Sequence, residues 1–442
     1  MKDWLTKSAA EQGRAIGKRD LDPVALAEAY LDAIEAHEFG PRIYARTTRE
    51  RALSEAAAAH DRAKSGMRVG PLDGVPISWK DLFDTAGVAT EAGSALLEGR
   101  VPDRDARVLR AATRAGTVCL GKTHMSELAF SGLGLNPITA SSPCVNDHEA
   151  ISGGSSSGAA ASVAFGLAAA AVGSDTGGSV RIPAAWNDLV GLKTTSGRLS
   201  LEGVVPLCKR FDTVGPLTRT VEDAALMLAA LEGGSAPDLS GASLSGMRFL
   251  VIETIALDAV EPVPGQAFDD SVARFEAAGA VIDRRTMPML NDVFALMPAL
   301  FPAEAYGQWK DVIEANPEKM FHEILARFRG GANVSGPDFV AAWNTLEACR
   351  ATFWEEVAGY DAVLIPSSPI LPPNIEKLMR GDSYYVSANL LALRNTRLGN
   401  LMGAASLTVP TGVPSCGAMF VTAPGCEERL LRIGAAAEMA LQ

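Results

Sequence analysis

The sequence is poor in the residues that staple small folds or hold metals. Its 442 residues include six cysteines (Cys119, Cys144, Cys208, Cys349, Cys416 and Cys426), none of them in a CxxC pair. That excludes a disulfide framework and a zinc knuckle, and it fits a reducing compartment. The five histidines (His37, His60, His124, His148 and His322) never stand four apart, so a helix-borne metal pair is excluded too. Positive charge is also in deficit. Forty Lys and Arg face 52 Asp and Glu, a formal charge of −12, and such a surface repels phosphate backbones and disfavours a nucleic-acid binder. Long apolar runs are missing as well. The first twenty residues lack the apolar stretch of a signal peptide, and the alanine-rich run at 159–173 is too short and too weakly hydrophobic to span a bilayer. The expectation is a cytoplasmic enzyme with no metal, no other cofactor and no membrane attachment.

What is present is a large stock of core-forming residues. Hydrophobic side chains make up 48% of the chain and charged ones 21%, enough to bury a large core unaided. Asp22-Pro23 before an apolar 3.6-residue period predicts a helix running to Ile34. A second helix is predicted over 51–63. The period then shortens. Residues 74–80 (GVPISWK) and 117–121 read as strands with a helix at 106–115 between them, the βαβ pattern of a largely parallel sheet. Residues 152–198 are rich in Gly, Ser and Ala, yet they bracket a strongly apolar segment and are no linker. A buried helix is predicted at 156–165, a strand at 169–172 and a helix start at Ser179. Strands follow at 248–253, 281–285, 362–366, 407–409 and 419–421, with a helix at 268–277 and a final helix from Glu427. Strands at both ends, with helices between, favour one interleaved domain over several beads. No solenoid repeat is visible.

Three local features could do nucleophilic work. Lys80 ends an apolar strand, where burial would lower its pKa and make it a base; snorkelling to the surface is the blander alternative. Ser155 lies in GGSSSG (153–158) and Ser179 in DTGGSVR (175–181). A Gly-Gly-Ser turn can align backbone N–H groups as an anion-binding nest, or simply cap a helix. No Walker A spacing accompanies it. Residues 154–158 match GxSxG, the nucleophile elbow of α/β-hydrolases, but the only later histidine, His322, sits in an ordinary helical stretch. No lysine has a serine three residues before it. A lysine from a distant strand remains as base.

These residues resemble the amidase signature enzymes. The resemblance runs from Asp22-Pro23 through PLDGVPI (71–77), KTHMSELAFS (122–131), the dense block 152–198 and DTVGPLTRTVEDA (212–224), and returns at DAVLIP (361–366) and LTVPTG (407–412). The family's two catalytic serines are 24 residues apart, as Ser155 and Ser179 are. The resemblance implies an α/β fold with a large central mixed, mostly parallel, twisted sheet covered by helices on both faces. It implies one amidase domain over 1–442, with a family-like core at about 65–235 and 360–442 and a helical substrate-pocket region at about 288–360. It also implies a Ser–cis-Ser–Lys triad, with Ser179 as nucleophile, Ser155 after a cis peptide as proton relay, and Lys80 as base. Oxyanion and substrate contacts would come from Thr176, Gly177, Gly178 and Ala129, with the Ser179 amide. Asp175 and Arg181 would clamp the loop. Ser157 departs from the family's usual glycine, at a position expected in the first turn of the helix. The implied partner is a small-molecule amide, with a homodimer as the assembly to test. The alternatives are the amidase subunit of a tRNA-dependent amidotransferase, a non-catalytic relative, and a serine esterase dependent on His322.

Overall fold

The computed structural model describes residues 1–381 and 383–442. Eleven strands among these residues form one sheet: Tyr44–Thr47 (β1), Pro76–Lys80 (β2), Val118–Thr123 (β3), Ala170–Asp175 (β4), Val190–Lys193 (β5), Thr213–Thr218 (β6), Arg248–Ile252 (β7), Val281–Arg285 (β8), Ala362–Pro366 (β9), Ala405–Pro410 (β10) and Gly417–Thr422 (β11). Their order is β1-β3-β2-β4-β6-β5-β10-β11-β9-β7-β8. The fold is α/β and the sheet is mixed, as expected, but parallel pairs are the minority. Parallel pairing is confined to β2 with β3 and β4, and β7 with β8 and β9. The other six junctions are antiparallel. The physical reason lies in the connections. The βαβ units legible in the sequence have crossover helices, Arg107–Arg114 and Pro262–Ala277, and these do give parallel neighbours. The short turn between β10 and β11 can only join antiparallel strands, and four other antiparallel junctions pair strands that are not consecutive in the chain, so no local connection announces their direction.

Most of the expected elements are present. The helix Pro23–Ala36 starts where Asp22 accepts a hydrogen bond from the Val24 N–H (2.9 Å), satisfying one of the donors a helix start leaves bare. Three strands, β1, β5 and β6, escaped the sequence reading. β1 and β5 are four residues long, too short to show a period. β6 contains Gly215 and Pro216, residues that argue against an interior strand. It tolerates the proline because β5 pairs only with Leu217 and Thr218, beyond it.

The mostly helical segment comprises Met289–Ala295, Met297–Ala315, His322–Arg329 and Gly336–Glu356. Aromatic contacts hold it to the sheet domain. Phe211, just before β6, stacks on Phe301 (centroids 4.3 Å apart) and on Trp343 (4.9 Å). Phe130 meets Phe328 edge-on at 4.7 Å. Such pairs contribute about 0.5–1.5 kcal/mol each beyond area burial, and these place the His322–Arg329 helix beside the loop that holds Ala129. No helix among the described residues is long and apolar enough to cross a membrane.

The tightest sheet contact gives a test of the fold. A Cβ at Gly215 would stand 1.9 Å from the Leu192 carbonyl oxygen, whereas one at Gly234 would meet nothing within 4 Å. Gly215→Ala should lower stability by about 1–3 kcal/mol or more, while Gly234→Ala should change it by less than about 0.5 kcal/mol. Equal urea midpoints for the two variants would count against the close approach of Gly215 to the Leu192 carbonyl.

Candidate active site

The parallel run β3-β2-β4 ends its strands on one side, and the chemistry gathers there. Lys80 is the last residue of β2 and is fully buried. Its Nζ lies 2.7 Å from Ser155 Oγ and 2.8 Å from Ser174 Oγ. Burial pushes its pKa down to about 7, against the pull of Asp175 and Asp212. A neutral amine in this position has one lone pair, which can accept the Ser155 hydroxyl proton while an N–H donates to Ser174. Ser174 was not among the residues singled out from the sequence. Its only signal was its place beside Asp175 at the end of β4.

The Ser155 loop is threaded through a tight channel. The Gly154–Ser155 peptide bond is cis, the geometry the resemblance assigns to it. The Gly154 N–H donates to the Gly132 carbonyl (2.8 Å), and the Ser155 carbonyl accepts from the Ser126 N–H (3.2 Å). A Cβ on Gly154 would stand 2.5 Å from the Gly134 nitrogen, so the loop requires glycine there. Ser157 opens the helix Ser157–Ala164, and its hydroxyl donates to the His124 carbonyl (3.3 Å). The two serine loops meet directly. The Ser156 N–H donates to the Ser179 carbonyl (3.2 Å), and the Ser156 hydroxyl to the Ser174 carbonyl (3.2 Å).

The Ser179 loop is built around Asp175. Its carboxylate, fully buried, receives the Arg181 guanidinium through Nε (3.0 Å) and Nη2 (2.8 Å), plus Asn400 Nδ2 (2.9 Å). It also accepts the Gly178 N–H (2.8 Å) and the Val180 N–H (3.1 Å). Burial alone would raise its pKa; Arg181, followed by Lys193 and Asn400, outweighs that and holds it below the ordinary carboxylate range. One expectation is corrected here. The Gly178 amide is spent on Asp175 and is not free to hold an oxyanion. Among the described residues, the Gly177 and Ser179 amides have no such partner. Gly178 has φ +140°, and a Cβ there would stand 2.1 Å from Thr396 Oγ1, whose hydroxyl donates to the Gly177 carbonyl (2.8 Å). Thr176 donates its hydroxyl to Asp212 (2.5 Å).

Ala129, Thr176, Gly177 and Ser179 line one cavity together with Arg327 and Arg397. Gly178 is not part of that lining. Ala129 sits there with φ +61°. His322 is elsewhere, three-quarters exposed at the start of its helix. Thr396, Arg397 and Asn400 gave no signal in the sequence, because they reach the loop from more than two hundred residues away.

Comparison with known proteins identifies the family. The family model described as Amidase matches residues 25–431. The chain belongs to the amidase family. It is 34% identical to 2-amino-5-chloromuconic acid deaminase of Comamonas testosteroni, over 96% of this chain and 94% of that one. It is 36% identical to a glutamyl-tRNA(Gln) amidotransferase subunit of Carboxydothermus hydrogenoformans, over 92% and 90%. A crystal structure of an amidase superposes with a TM-score of 0.89 at 30% identity, covering 99% of this chain and all of that one. The peptide amidase of Stenotrophomonas maltophilia gives 0.82 at 26% identity, over 98% and 96%. As an amidase-family protein, this chain is a hydrolase of carbon–nitrogen bonds.

The Asp175 clamp yields a prediction. Asp175→Asn leaves Arg181 buried without its counter-charge and should cost about 3–5 kcal/mol. The folded carboxyl titrates below its unfolded value of about 3.9, so its contribution is fully present above that pH and fades as the pH falls. Denaturant melts should therefore show the gap between wild type and variant narrowing in acid. A gap that widened below pH 4 would contradict the assignment.

Proposed function

We propose that this chain is a stand-alone amidohydrolase that cleaves a small-molecule carboxamide to a carboxylate plus ammonia or an amine. The observation that carries the reading is the buried Lys80 amine within hydrogen-bond distance of Ser155. In this mechanism neutral Lys80 takes a proton from Ser155, which takes one from Ser179. Ser179 Oγ then adds to the amide carbon. The amides of Gly177 and Ser179 hold the oxyanion, where losing one donor costs about 3–4 kcal/mol of barrier. Collapse breaks the C–N bond, and the proton returns through Ser155 to the leaving nitrogen. Water, deprotonated by the same relay, then releases the acid from the Ser179 ester. Asp175 and Arg181 act by holding the loop. The helical segment at 288–360 supplies part of the substrate pocket. No metal takes part, and the cytoplasm is the proposed location.

The amidotransferase relatives keep a second reading open, in which the chain is the amidase component of a tRNA-dependent amidotransferase. The purified chain alone decides between the two. Ammonia release from simple amides without added protein or tRNA is expected, and its absence until a partner is supplied would favour the amidotransferase reading.

Ser179→Ala should abolish turnover with the fold retained, and a fluorophosphonate should label Ser179; an adduct on Ser155 or Ser156 would overturn the nucleophile. Because Lys80 works as the neutral amine and loses its proton near pH 7, activity should rise through that pH and level off on the alkaline side. Lys80→Ala should remove that limb together with most of the rate. Arginine cannot substitute, since it stays charged. A Lys80→Ala enzyme with full activity and an unchanged pH profile would exclude the triad.

A further inference from the structure

The cavity over Ser179 holds two arginines that the catalytic reading does not use. Arg397 is buried, at 6% exposure, and Arg327 is half-buried. Both line the cavity with Ser179, and both also line an adjoining hollow of about 540 Å³ with Phe301 and Tyr385. Arg397 lies against the Ser179 loop. A Cβ on Gly177 would stand 3.6 Å from its Cγ and 3.9 Å from its Nε. Arg327 Cζ sits 4.5 Å from the Phe130 ring centroid.

Neither guanidinium has a carboxylate within ion-pair distance among the described residues. The charged group nearest in effect to Arg397 is Arg327, and burial and that neighbour push Arg397 down to about 9. The groups that favour the Arg327 charge are the Tyr385 phenol and the Cys208 thiol, both ordinarily neutral. The Tyr385 hydroxyl is itself engaged, donating to Ser131 Oγ (2.9 Å). The one acid in the adjoining hollow, Glu323, is placed 3.6 Å from His322. Every other deeply buried cation near the site is compensated or can shed its charge. Arg181 has Asp175, and Lys80 and Lys193 are both pushed down to about 7 by burial. An arginine has neither escape, because it does not lose its proton in the working range. Buried charges are normally paired, so this pair lacks its counter-ion.

Resting on the proposed hydrolase reading, we infer that Arg327 and Arg397 bind a carboxylate of the substrate, so that the preferred substrate is the monoamide of a short dicarboxylic acid. A planar guanidinium matches a carboxylate with two parallel hydrogen bonds. Arg397 touches the same loop as the nucleophile, so the acid group and the scissile amide are separated by only a few bonds. The apolar walls from Phe130, Leu207, Phe301 and Leu393 suit the carbon spacer.

The experiment compares kcat/KM for malonamate, succinamate and glutaramate with that for the neutral isostere succinamide and for butyramide. It uses the wild-type chain, Arg397→Met, Arg397→Lys and Arg327→Gln. Calorimetric binding of the same probes to Ser179→Ala protein gives a readout independent of turnover. The best anionic amide should exceed succinamide by about 100-fold, the factor for hydrogen bonds to a charged group. That ratio should fall about tenfold or more in Arg397→Met and Arg327→Gln, mainly through KM, with partial recovery in Arg397→Lys. Wild-type enzyme that hydrolyses succinamide as well as every anionic amide would overturn the carboxylate site and leave the hydrolase reading standing. Binding of an anionic amide that depends on Arg397, with no hydrolysis by wild type, would uphold the site and sink the hydrolase reading. Should Arg397→Met fail to fold, the wild-type ratio and Arg327→Gln still decide.

Discussion

The Asp175–Arg181 ion pair is the contact on which the site's geometry depends. It closes a loop of seven residues at the end of β4, and five further groups converge on it, the Met419 sulfur among them. The carboxylate draws in the amides of Gly178 and Val180, which leaves those of Gly177 and Ser179 for other work. The guanidinium reaches out to the Thr396 carbonyl (2.6 Å) and Asn400 Oδ1 (2.6 Å), and so ties the loop to the far end of the chain. A buried pair of this kind adds little net stability compared with well-packed apolar residues. Its effect is directional: the backbone donors of a short glycine-rich turn are sorted into two sets, one held by Asp175 and one left without a protein partner among the described residues.

Burial has three different consequences for charge within this one region. Asp175 and Arg181 stay ionised because each satisfies the other. Lys80 and Lys193 have no such tight partner, and desolvation brings both down to about 7. Lys193 donates to two carbonyls, those of Thr194 and Ala404, and acts as a brace between β5 and the segment before β10. Lys80 instead faces two hydroxyls, those of Ser155 and Ser174. The same low dielectric thus leaves a clamped ion pair, two lysines of lowered pKa and, among the described residues, two arginines without a carboxylate, Arg327 and Arg397, depending on the side chain and on what stands opposite it.

The helical segment from Met289 to Glu356 matters because of where it is pinned. Phe301 and Trp343 stack on Phe211, one residue from the Asp212 that holds Thr176. Phe328 meets Phe130, next to Ala129. These contacts couple the outer wall of the cavity to both loops of the site.

The sequence alone determined the α/β class and most of the strands and helices, and it singled out Lys80, Ser155 and Ser179, which the structure brings into adjoining segments. It could do so because these depend on local signals: apolar period, Gly and Pro punctuation, and two serine loops 24 residues apart. It did not disclose the antiparallel majority of the sheet, nor β6, whose Gly215 and Pro216 disguise a strand. It missed Ser174, and it gave Gly178 a role that the Asp175 carboxylate preempts. Arg327 and Arg397 are seventy residues apart and look like ordinary surface arginines in the chain. Only the tertiary structure decided which charges lost their water and which amides lost their partners. Both are set by what distant segments bring within a few ångströms, and no local pattern records that distance.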